Sequence, residues 1–350
     1  MREREHFIDV VKVIGIFLVI CGHYVYDMHI PMDNDGKYLW DIAISITLFH
    51  MPMFFIISGY LHKTPETWKR LLSSIAQRLL IPYVLICLTA LFVGVVLQLL
   101  TKGISLTEAA HETIHNICGI ISGGDFPHTR ISYSGAMWFV YSLIIIRVIY
   151  YGIERLFLCT QTSKKMIKTV VGIGCIGGLY IGNRLPFRLD SSIVGLLFFI
   201  IGDLGKDIIK QMTQSQQFIK LLYMLVAIVV LVVCAYFNID YENGKGNSIN
   251  VVSFGPYPLL FLLSGIFGSL LIIILSSLIK VRRVSFWENL SNSNIIILGF
   301  HSLIMMSIYI TMGCMIKWYM SMVICIITFV ICAFLGEIFK KYAPAYVGWR

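Results

Sequence analysis

Residues Asp9 to Tyr24 read "DVVKVIGIFLVICGHY". A run this apolar fits a membrane-spanning helix. It nevertheless carries Lys12 near one end and His23 well inside, residues that hydrocarbon disfavours strongly. Lys12 and His23 lie eleven positions apart. At 3.6 residues per turn that is close to three turns, so they share a face, about 16 Å apart along the axis. Asp9 falls on the same face, three residues before Lys12, at ion-pair spacing.

The rest of the chain repeats this character. Of 350 residues 57% are hydrophobic and 13% charged, with a mean hydropathy of +0.80. That balance leaves too little polar surface for a soluble domain of this length, so the class is polytopic membrane protein. The fold expected is all-α, one membrane-embedded domain over residues 1–350 with no soluble appendage. About ten spans are expected: 7–27, 38–61, 79–100, 135–154, 167–183, 190–207, 219–237, 257–279, 294–313 and 318–339. The fifth and sixth are short and Gly-rich.

The connecting segments set the expected orientation. About 19 of the 28 Lys and Arg residues fall on alternate segments, beginning with the N-terminus and ending with "FKKYAPAYVGWR". That alternation fits an even number of spans with both termini cytoplasmic. The net charge of +9 is thus a membrane-topology signal, and no nucleic-acid partner is expected. The first apolar segment lacks a signal-peptide cleavage site. Nine cysteines are scattered through apolar segments without a CxxC pair, as small buried hydrophobes would be.

Charges at the rims and centres of spans are the candidates for chemistry. Lys12, Arg78 in "QRLLIPY" and Arg147 in "WFVYSLIIIRVIY" all belong to the expected cytoplasmic half. Converging cations there suit a polyanion, and arginine offers a fork for phosphate oxygens; the alternative is snorkelling to lipid headgroups. His23, His50 and His301 sit near mid-depth on three helices, and Asn294 lies on the face of His301. Three such imidazoles could line one polar cavity with a base poised near neutral pH; each alone would suit a helix–helix hydrogen bond.

One strict motif points elsewhere. "HETIH", His111–His115, matches H-E-x-x-H, in which two imidazoles bind zinc and Glu112 acts as base. A third ligand would have to come from Cys118, Asp125 or His128, none at a diagnostic spacing. A surface helix is the preferred reading, and no metal is expected.

Several further stretches, in order, resemble one family. These are "FHMPMFFIISGYL" (49–61), "QRLLIPY" (77–83), "GAMWFVYSL" (135–143), "LPFRLDSSIVGLLFFIIGDLGK" (185–206) and "WENLSNSNIIILGFH" (287–301). Together with the first span they resemble acyltransferase family 3, integral membrane O-acyltransferases, over nearly the whole chain. In that family a basic residue, usually arginine, precedes an essential histidine by ten intervening residues; Lys12 and His23 fill those places. Lysine for arginine keeps the charge and loses the bidentate fork. The pattern leans toward the fucose-acetylase-like and WecH-like branch, since the acidic SLxxE variant is replaced by "YSLIII".

The resemblance implies transfer of an acetyl or other short acyl group from acyl-CoA to a hydroxyl of a cell-envelope saccharide or lipid-linked saccharide. Acetyl-CoA is then a co-substrate, and no tightly bound cofactor is expected. Lys12, Arg78 and Arg147 would hold the CoA phosphates, His23 would be the general base, and Asp9 would orient Lys12. His50, Ser58, Asn294 and His301 would bind the acceptor or the developing oxyanion. A bacterial inner membrane is the implied location. The rival from another class is a transporter or flippase of a glycan-linked lipid, which would also need a polar mid-membrane cavity.

Overall fold

The computed structural model describes residues 5–27, 42–124, 131–156, 161–182, 185–238, 247–281, 283–312 and 320–348. Among these the chain is helical throughout, with no strand beyond one isolated bridge between Ser248 and Ser253. Helix α1 is His6–Asp27 and α2 is Ile42–Tyr60. Helix α3, Trp68–Thr101, contains a π-helical turn at Ala76–Leu80. Then come α4 (Leu106–Ser122), α5 (Trp138–Leu156), α6 (Gln161–Ile176) and α7 (Leu189–Leu204). Helices α8 (Lys206–Gln214), α9 (Gln217–Asn238) and α10 (Pro258–Leu278) follow. The last are α11 (Val284–Asn292), α12 (Asn294–Met312) and α13 (Ser321–Tyr342).

Seven of these helices are each long and apolar enough to cross a bilayer, or eight if the bent pair α11–α12 counts as one span. The expected spans 167–183 and 190–207 correspond to α6 and α7, helices of 16 residues. At 1.5 Å per residue each is about 24 Å long, short of a hydrocarbon core of about 30 Å. Helix α7 is mostly buried, Phe198 and Phe199 among its core side chains, so its apolar sequence serves protein packing rather than lipid contact.

Burial orders the bundle. The span windows of α1 and α2 are 61% and 72% buried, those of α9 and α13 only 28%. Helices apolar all round belong in the centre when neighbours cover them and at the rim when lipid does. Helix α1 is central: α2, α10, α11, α12 and α13 all pack on it. It buries Val10, Val11, Ile16, Val19, Ile20 and Tyr24. Helix α9 pairs mainly with α10 and exposes Leu222, Leu225 and Val229 on its outer face.

Two local irregularities position the site. The π-turn widens α3 at the level of Arg78, a deviation that often re-aims a side chain. Helices α11 and α12 meet at a 60° bend around Ser293. Ser293 is fully buried, and both its backbone N–H and its Oγ donate to the Asn289 carbonyl, closing the end of α11 at the bend.

Candidate functional site

A cavity of about 680 Å³ opens where α1, α2, α3, α5 and the α11–α12 bend converge. Lys12, Arg78 and Arg147 all line it, although they are separated by more than sixty residues from one to the next. Ser58 and Asn294 line it as well. Arg147 donates to Ser74 Oγ at 3.5 Å, and Arg78 is near enough to act on Arg147 electrostatically. Two like charges held together in a partly buried wall lower each other's stability unless an anion lies between them. Asn294 donates through Nδ2 to the Lys12 carbonyl at 3.0 Å, tying the bend to α1 beside the lysine. Asn294 also opens α12, so the positive end of that helix faces the cavity.

The cavity contains cations that reading the sequence missed: Lys63 and Arg70, together with His62. They come from the polar stretch "HKTPETWKR", where charge is ordinary and carries no signal.

The three histidines lie beyond the cavity, not in its wall. On α1 the lining reaches Ile16, and His23 is seven residues, about 10 Å, further along. On α12 it reaches Leu298, and His301 lies one turn beyond. The His23 and His301 rings meet with centroids 5.0 Å apart, inclined by 64°. His50 is buried within electrostatic range of His23. The Nδ1 of His50 lies 2.9 Å from the Ile46 carbonyl, and that of His301 lies 3.0 Å from the Ile297 carbonyl. A carbonyl only accepts, so in the neutral rings Nδ1 carries the proton and Nε2 is an acceptor. Neutral His50 and His301 can therefore accept a proton from a hydroxyl or orient His23. To stabilise an oxyanion either would first have to be protonated.

Asp9 is 3% exposed and clusters with His6 and Glu288, their ligand atoms all within 4.8 Å of one another. Among the described residues this is the one His/Cys/Asp/Glu group compact enough to hold an ion. The cluster joins α1 to α11 at the base of the lysine's turn.

The H-E-x-x-H motif falls on α4, a helix closed at both ends. Ser105 and Glu108 form a reciprocal capping box, with Ser105 N–H donating to Glu108 at 2.8 Å and Glu108 N–H to Ser105 Oγ at 3.2 Å. That backbone N–H holds the exposed Glu108 carboxyl below its ordinary range. Glu112, the would-be base, accepts from the Tyr133 hydroxyl and, at 3.4 Å, from Gln98. Burial, and next the Glu112 carboxylate, push the Tyr133 hydroxyl above the usual phenol range, so it stays a donor. Glu112 is thus a fastening between α4 and its neighbours. His111 and His115 approach each other at 2.9 Å between Nε2 atoms on the outer face. Of the possible third ligands, Cys118 is exposed on α4, while Asp125 and His128 lie outside the described residues. His111→Ala is expected to leave activity within about twofold and stability within about 0.5 kcal/mol, as for surface positions generally. Turnover assays and thermal melts check this, and a large loss would revive the zinc reading.

Against known families, a model described as an acyltransferase domain matches residues 5–344. No curated protein matches the chain.

Proposed function

The chain belongs to acyltransferase family 3, and from that premise we propose that it moves an acetyl or other short acyl group from acyl-CoA to a hydroxyl of a cell-envelope glycan or glycolipid. It is an acyltransferase of the membrane; the donor, the acceptor and the residue roles are our reading. The observation that carries it is the convergence of Lys12, Arg78 and Arg147 on one cavity beside α1. Coenzyme A is a polyanion with a long, thin arm, and a cationic chamber of this size suits its phosphates.

In this reading Lys12, Arg78 and Arg147 hold the phosphates, and Asn294 keeps the Lys12 turn in place. The pantetheine arm runs along α1 toward His23. His23 takes the proton from the acceptor hydroxyl as its oxygen attacks the thioester carbonyl. The tetrahedral intermediate collapses, the C–S bond breaks, and CoA leaves as a thiolate that is reprotonated. His301 and His50, bonded through Nδ1 to main-chain carbonyls, hold His23 in position. Ser58 and Asn294, which line the cationic chamber beside Lys12, would contact the donor there rather than the acceptor or oxyanion at His23. Both termini would be cytoplasmic, the acyl-CoA would enter from that side, and the membrane would be a bacterial inner membrane.

The test follows binding and slow hydrolysis of radiolabelled acetyl-CoA by purified protein in nanodiscs. Lys12→Ala removes a charge-assisted contact of about 1.5–3 kcal/mol, so its affinity is expected to fall about ten- to a hundredfold. Arg147→Lys keeps the charge, loses the fork, and is expected to fall less. Wild type that binds no short-chain acyl-CoA would refute the donor assignment. Movement of a glycolipid without acyl turnover would establish the transporter instead.

A further inference from the structure

Beneath the cavity lies an ionic cluster that the proposed reaction does not use. His62 follows the end of α2 by two residues and lines the cavity, with its side chain only 6% exposed. Its ring stands edge-on to Tyr150 at 5.0 Å and to Phe199 at 5.4 Å. Nε2 lies 3.1 Å from Glu154 Oε2. Glu154 is held in turn by Lys168 at 2.9 Å and by the Thr64 hydroxyl at 2.8 Å. Lys168 also reaches Asp203 at 2.7 Å, and Asp203 accepts from Lys206 and from the Tyr150 hydroxyl.

Two lysines face two carboxylates, so the cluster balances without His62. A carboxylate only accepts, so Nε2 carries a hydrogen in either charge state of the ring. The remaining polar atom, Nδ1, makes no hydrogen bond among the described residues. A neutral ring would turn a lone pair toward an incoming anion. A protonated ring would offer an N–H and one more positive charge beside Lys63, Arg70, Arg78 and Arg147. The groups around it are Glu154 from α5, Lys168 from α6, Asp203 from α7, Lys206 from α8 and the neighbouring Lys63. Arg155 turns away to the Pro65 carbonyl at 3.0 Å.

We propose that His62, oriented by Glu154, is a proton-dependent anion contact of the cavity, taking up a proton at Nδ1 when the phosphate end of the donor binds. This rests on the acyl-CoA reading for the identity of the donor. Glu154 is a positioning residue: it fixes the ring's tautomer and opposes its positive charge. Cytoplasmic pH would then tune how tightly the donor is held.

The experiment measures the affinity of coenzyme A, and separately of inorganic pyrophosphate, from about pH 6 to pH 8, where imidazoles change charge. The full-length protein is compared with His62→Gln, which keeps a donor for Glu154 and cannot titrate. Wild type is expected to bind about tenfold tighter than His62→Gln at the acid end and equally at the alkaline end. The ligand's own titration cancels in that ratio. Parallel profiles would overturn the proposal. Glu154→Gln is expected to move the tight-binding limb to lower pH; a merely structural Glu154 would change stability and leave the profile in place. Should His62→Gln fail to fold, calorimetry of the wild type in two buffers reads proton uptake directly, and none on pyrophosphate binding overturns the proposal. If coenzyme A does not bind but pyrophosphate shows the His62-dependent profile, the acyl-CoA reading fails and the anion contact stands. If neither binds, both fail.

Discussion

Replacing His23 by alanine is expected to abolish acyl transfer while leaving donor binding within about twofold of wild type. A positioned general base contributes roughly 10²–10⁴ to the rate, or about 3–5 kcal/mol of barrier. His23 stands about 10 Å beyond the cationic chamber along α1, so its loss removes no phosphate contact. Its ring meets that of His301, whose Nδ1 is bonded to the Ile297 carbonyl and whose Nε2 lies 3.3 Å from the Ser302 hydroxyl, so His301 would have to give up that hydroxyl to take over as base. The measurement is single-turnover acetyl release alongside acetyl-CoA affinity. Loss of turnover with affinity retained matches the assignment. A rate within tenfold of wild type would remove His23 from the chemistry, and a collapse of affinity would place it in the donor site.

A comparable loss, by another route, is expected from Gly59→Ala or Gly202→Ala. Helices α2 and α7 pack more closely than most pairs in the bundle. A Cβ on Gly59 would lie 1.9 Å from the Phe199 carbonyl oxygen, and one on Gly202 would lie 2.0 Å from that of Ile56. Both obstacles are main-chain atoms on helices, which cannot rotate aside as a side chain would. Small residues at membrane helix crossings allow this approach, and the packing gained stabilises the pair. The helices would have to separate by more than 1 Å. Overpacking usually costs about 1–3 kcal/mol, and rigid main chain puts these sites at the upper end or beyond. The same crossing carries Ser58, next to Gly59, and Asp203, next to Gly202. Donor affinity should therefore fall together with thermal stability and the yield of monodisperse protein. An alanine variant with an unchanged melting temperature would show that the crossing is looser than described.

Much of the site was legible in the sequence because hydrocarbon makes charge conspicuous. Lys12, Arg78 and Arg147 stood out as cations in or beside apolar spans, and the structure places all three on one cavity. The pairing of His23 with His301 was readable only as two mid-span imidazoles; their 5.0 Å approach came from packing α12 against α1. His62, Lys63 and Arg70 were missed because they sit in a polar connection. The same holds for the partnership of Glu154, Lys168 and Asp203: Glu154 and Asp203 lie near helix ends, where a charge is unremarkable, and Lys168 lies in mid-α6 just after the polar stretch "QTSKK". "HETIH" shows the opposite error that a motif invites: its glutamate is engaged by Tyr133 and Gln98, partners a five-residue pattern cannot reveal.

By itself the sequence determined that the chain is helical and belongs in a bilayer, and which face of α1 bears Lys12 and His23. Both follow from short-range physics: main-chain groups in lipid must be satisfied within a helix, and 3.6 residues per turn sets which residues share a face. Tertiary structure alone decided which helices are central and that α7 is buried among its neighbours. It also decided that α11 and α12 break at Ser293, that two glycines let α2 and α7 touch, and that cations from distant segments share one chamber. Those outcomes depend on which apolar face meets which. Leucine, isoleucine and valine suit lipid and protein interior alike, so hydropathy cannot distinguish them, and only the fit of side chains between helices does.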